Sequence, residues 1–207
     1  MKTQFFIERL YPLELLSGFI AVMILAIPRE YLKAWIALFL GDDTPKKAGR
    51  FSWNPFVHMD PIGTTTFILF DFGWTRPIPL RPWRMRIGKK GLLLVSAAGP
   101  LLNLVEALVF ATFAKKLQCG TFAFSVMYKS AKYSLTYAFF SLLPIPPLDG
   151  SKILGALLPD EYTEWYLKYE VYGVLFMLGI LLLWILPLMM HPFVTFIDSI
   201  VNSWIGL

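Results

Sequence analysis

Three ionisable residues interrupt an otherwise apolar run, IPREYLKAWIALFLGDD over 27–43: Arg29, Glu30 and Lys33. A charge isolated at bilayer depth is expensive, so such residues face a protein interior, pair with one another and mark a site. Groups of this kind build buried ion pairs, proton relays and ion pathways. A fourth charge, Asp149, stands in LLPIPPLDG (142–150), and NPFVHMDPIG (54–63) brings Asn54, His58 and Asp60 into another apolar stretch. Gly99, Pro100 and Asn103 lie in AAGPLLN (97–103). Cys119 is the only cysteine, which excludes an internal disulfide and a Cys-based zinc site.

The elements that position these residues are membrane elements. Of 207 residues, 57% are hydrophobic and only 16% charged, with a mean hydropathy of +0.59, too apolar for a soluble domain of this length. The net charge of +5 is no nucleic-acid signal, because the basic residues sit in loops beside apolar spans, where they set orientation. The first segment has no small-residue cleavage signal and runs on apolar, so it reads as an uncleaved span. Residues 12–40 predict one helix of about 43 Å, longer than the hydrocarbon core. The stretch 51–74 is apolar but broken by Pro55, Pro61, Gly63 and Gly73, which predicts a re-entrant hairpin shielded by protein.

Further spans are expected at 92–114, at 121–143 with Lys129 and Lys132 reaching an interface, and at 170–190. Residues 191–207 read as an apolar tail on the surface. The fold class is thus an all-α polytopic membrane protein with about four transmembrane helices and a re-entrant segment. It forms a single integral-membrane domain over 1–207, with a core at 12–160 and the last span and tail at 169–207. On one side the loops carry eleven Lys or Arg, among them Lys46, Arg50, Arg84, Lys152 and Lys168; the other side carries Lys2, Arg9, Lys115 and Lys116. That bias predicts loops 41–53 and 73–91 to be cytoplasmic and brings Arg29, Lys33 and Asp149 to one membrane face.

The ordered set Gly41-Asp42, NPFVHMDPIG, GWTRPIP, AAGPLLN and LLPIPPLDG resembles the site-2 proteases, intramembrane zinc metallopeptidases, in their small group without a PDZ domain. The resemblance covers roughly residues 12–160. Its HExxH motif implies two histidines at i and i+4 that bind zinc, a glutamate that activates the bound water, and a third ligand from the LDG aspartate. Aligned on Gly41-Asp42, those positions hold Arg29, Glu30, Lys33 and Asp149. Both histidines are thus replaced, and Ser141 stands where the family often has asparagine. A guanidinium cannot ligate a metal, and one carboxylate does not make a three-ligand zinc site. No cofactor is therefore expected; zinc enters only under a reading in which His58 and another donor join Asp149.

Two cations and two carboxylates total zero, as a divalent ion with two neutral histidines and two carboxylates would. This predicts that Arg29 and Lys33 stand in for the metal's charge, with Asp149 paired to one of them. For Asn54, His58 and Asp60 a substrate or partner cleft and ordinary Asx-Pro turns both stay open. So do a cleft amide and a close helix contact for Gly99, Pro100 and Asn103. Three functions follow: an inactive relative that binds or scaffolds other membrane proteins as a complex subunit, an active metalloendopeptidase with a rearranged site, and an ion or proton pathway. The first is the expectation carried forward, with membrane proteins and the lipid bilayer as partners and no nucleic acid.

Overall fold

The computed structural model describes residues 11–159 and 170–206, and the protein is an all-α membrane protein. Lys2, Arg9 and Lys168 of the charge count lie outside the described residues. Helix α1 (Pro12–Phe39) opens on a proline, whose missing N–H costs nothing in a first turn, and carries Pro28 in its interior. Pro28 leaves the carbonyl four residues earlier without its usual donor just before Arg29. The short α2 (Thr44–Lys47) follows. Then come a 3-10 turn at Pro55–Val57 and α3 (Pro61–Phe70), begun by Asp60, whose side chain accepts from Gly63 N at 2.9 Å.

The predicted hairpin is present. α3 descends into the protein, turns at Asp71 in the left-handed region (φ 63°), and returns so that Met59 bridges Thr75 and Arg76 N donates to His58 O. Two glycines close it. A Cβ on Gly63 would lie 2.1 Å from Trp74 O and one on Gly73 2.1 Å from Gly63 O, so no other residue fits either position.

Among the described residues, three helices are long and apolar enough to cross a membrane: α1, α4 (Lys89–Lys116) and Ile185–Ile205. Between them lie α5 (Phe122–Phe140), α6 (Asp149–Leu157) and α7 (Glu170–Leu182); Ile185–Ile205 is α8. α1, α4 and α5 pack together, with Ala21, Ala26 and Ala131 fully buried, small side chains that let backbones approach. Phe67, Phe72 and Trp74 of the hairpin complete the core beneath the charged turn of α1.

Two expectations change. The run 170–190 is not one span: α7 stops at Leu182, Trp184 adopts φ 59°, and the former surface tail forms the body of α8. Pro187 is the cause, because a proline ring clashes with the carbonyl four residues back, here Leu183, and cannot bond to it; in the first turn of a new helix it costs nothing. Lys132 does not reach an interface. It is buried, 3.0 Å from Asp71 at the hairpin turn and 3.0 Å from Asp198 on α8, so two distant carboxylates offset the cost of burying it. Lys129, one turn earlier, pairs with Glu14 at 2.6 Å near the start of α1.

Candidate functional site

Arg29, Glu30 and Lys33 share the C-terminal half of α1, and all three are buried. Asp149 reaches them because LLPIPPLDG folds back tightly: Gly150 N donates to Ser141 O at 2.7 Å, which sets the first residue of α6 against α1. The carboxylate is then clamped on both oxygens. Arg29 Nη2 donates to Oδ2 at 2.5 Å, and Lys33 Nζ donates to Oδ1 at 2.6 Å. Burial alone would raise the Asp149 carboxyl, but Lys33 and Arg29 together hold it below the usual carboxylate range.

The remaining donors of Arg29 are directed as firmly. Nε donates to Asn103 Oδ1 at 3.0 Å, Nη1 to Glu30 Oε1 at 3.0 Å, and the guanidinium lies 3.9 Å from the centre of the Tyr137 ring. That stack is a cation–π contact in a water-poor site, worth about 2 kcal/mol when desolvated. Glu30 Oε1 also accepts from Thr75 Oγ1 at 2.6 Å, and Thr75 in turn meets Tyr137 through its N–H and its hydroxyl. Glu30 Oε2 lies 3.6 Å from Lys33 Nζ, too far for a hydrogen bond. One guanidinium therefore joins α1, α4, α5, α6 and, through Glu30, the hairpin.

Gly99 makes room for this. A Cβ there would lie 2.8 Å from Asp149 Oδ2 and 2.9 Å from Arg29 Nη2. Gly99→Ala is expected to push the clamp apart and lower stability by about 1–3 kcal/mol, read as a lower midpoint of thermal unfolding in detergent; an unchanged midpoint would mean the clamp moves freely.

The structure thus brings together Arg29, Glu30, Lys33, Asp149, Gly99 and Asn103, while Pro100 is buried within α4 beside Gly99. The NPFVHMDPIG residues serve the hairpin. Asn54 is exposed and its Oδ1 accepts from Phe56 N, Asp60 caps α3, and the fully buried His58 contacts Ser52 O through Nε2 at 2.8 Å. Asp42 is a tie as well: its two oxygens accept from Thr44 N and Arg81 N. Sequence reasoning missed Thr75, Tyr137 and Lys152. Thr75 lies in the quoted GWTRPIP stretch; Tyr137 carries no local signal. Lys152, one turn after Asp149 on α6, is buried and lines, with Lys33, Thr75, Tyr137 and Asp149, a narrow cleft with room for about one water molecule.

The donor set does not fit zinc. Both Asp149 oxygens are engaged by cations, Arg29 has no lone pair to offer, and among the described residues no three His, Cys, Asp or Glu side chains gather where they could hold a metal ion.

No family model matches the chain, and no solved structure matches it. Among curated proteins it is 32% identical over 191 residues to "Putative zinc metalloprotease YwhC" of Bacillus subtilis, covering 84% of this chain and 87% of that protein. It is also 30% identical over 83 residues to zinc metalloprotease MJ0392 of Methanocaldococcus jannaschii, covering 40% of this chain and 24% of that protein.

Proposed function

Because this chain belongs to the site-2-protease-like zinc metalloprotease family that includes YwhC, we propose that it is a member in which Arg29 and Lys33 occupy the two histidine positions and hold the place of the metal. On this reading it does not cut: it keeps the fold and binds or scaffolds other membrane proteins as a subunit of a membrane complex. One observation carries it, the clamp of Asp149 between Arg29 and Lys33 at 2.5 and 2.6 Å. A carboxylate held by two cations in a buried site is already neutralised, and a divalent ion would have to displace both. Arg29 and Lys33 stand against Glu30 and Asp149, all buried, with the buried Lys152 lining the same cleft.

The test is metal analysis of protein purified from its own membranes, together with identification of what accompanies it. Expected are zinc far below one per chain, membrane proteins that co-purify, and no chelator-sensitive cleavage of a membrane substrate. About one zinc per chain with such cleavage would overturn this reading in favour of an active metalloendopeptidase that recruits other donors.

A further inference from the structure

Away from the buried cluster, the most strongly charged feature of the molecule is the cap formed over the end of α1 by residues 41–50 and 76–90. These two stretches carry nine Lys or Arg against two Asp. Both acids are spoken for: Asp42 is buried and accepts from two backbone N–H groups, and Asp43 is shared by Lys47 at 2.5 Å and Arg84 at 2.8 Å. Arg50 is committed to the carbonyls of Val57 and Pro77, and Lys89 to that of Leu158. Lys46, Arg76, Arg81, Arg86 and Lys90 are exposed, and among the described residues none has a carboxylate partner.

These cations are not on a loose loop. Arg81 N donates to Asp42 Oδ2 at 2.7 Å and Arg86 N to Leu40 O at 2.7 Å, which fixes the segment to the end of a bilayer-length helix. Among the basic residues the same segment presents Trp83, 68% exposed, and Ile87, while Trp35 and Phe39 stack on the adjacent end of α1, both exposed. Exposed tryptophan belongs at headgroup level, and unpaired cations at that level attract anionic lipid. A soluble acidic protein would match the charge but not the tryptophan and isoleucine at the same height.

We propose that this cap is a binding surface for the anionic phospholipid headgroups of the membrane in which the protein sits. Arg81, Arg86 and Lys90 take the phosphates, and Trp83 seats between headgroup and acyl chain. The proposal is independent of whether the buried site cuts.

The full chain reconstituted into nanodiscs of phosphatidylcholine mixed with phosphatidylglycerol gives the test, with native mass spectrometry reading which lipid each protein retains. The wild-type protein is expected to retain phosphatidylglycerol preferentially, and to lose that preference as salt is raised. The triple variant Arg81→Gln, Arg86→Gln, Lys90→Gln is expected to lose about fivefold of preference per cation removed. Lys115→Gln with Lys116→Gln, at the other end of α4, is expected to leave it intact. If the triple variant does not fold, the salt dependence of the wild-type protein decides. A preference that salt or the triple variant leaves unchanged overturns the proposal. So does an absence of lipid preference with tight binding of polyglutamate, which would assign the cap to an acidic polypeptide.

Discussion

Replacing Asp149 with alanine is expected to lower stability by about 3–5 kcal/mol, the cost of stranding buried charge, and to lower the unfolding midpoint in detergent by on the order of 10 °C. The effect is large because one carboxylate serves two cations. Arg29 Nη2 and Lys33 Nζ both lose their closest acceptor, and Glu30 is left to balance two positive charges with one oxygen hydrogen-bonded and the other 3.6 Å from Lys33. Asp149→Asn separates charge from hydrogen bonding: its amide offers one acceptor and no charge, so it is expected to recover less than half of the loss. An alanine variant as stable as the wild type would mean that the cations are content without Asp149, and the clamp would carry no weight in the functional reading.

The second large effect is expected from Arg29→His combined with Lys33→His. Removing both cations leaves two carboxylates, Glu30 and Asp149, facing a single buried cation of the cleft, Lys152, which without metal is expected to destabilise the fold. The two imidazoles at i and i+4 on α1, with Asp149, then offer the three-ligand set of a catalytic zinc site with an open fourth position. Zinc is expected to bind at one per chain and to restore stability by about 4 kcal/mol at a thousandfold excess over its dissociation constant. Titration of the unfolding midpoint with zinc, beside metal analysis, reads both. Failure of the double variant to take up zinc, while remaining folded, would show that this scaffold does not present those two positions to a metal and would remove the reason for reading Arg29 and Lys33 as replacements.

Much of the fold was legible from residue types alone. The charged turn of α1, the glycine- and proline-broken hairpin and the long apolar runs each have a local cause, and the structure realises them at α1, α3 and α4. The convergence of Arg29, Lys33 and Asp149 was legible through the order of the motifs, although pairing with one cation was expected where the carboxylate takes both. What failed to show was non-local. Lys132 reads as an interfacial lysine until Asp71 and Asp198, 61 and 66 positions away, are seen to close on it. Thr75 and Tyr137 contribute hydroxyls whose targets depend on how the hairpin docks. The turn at Leu183–Trp184 was marked by Pro187, but an unbroken apolar run masked the mark, because hydropathy does not distinguish one span from two abutting helices.

The double clamp on Asp149 also bears on how such a chain changes over generations. A single histidine at position 29 or at position 33 removes one of the two cations that hold the carboxylate, yet supplies only one of the two imidazoles that a metal would need. Either single replacement is therefore expected to loosen the buried clamp without completing a metal site.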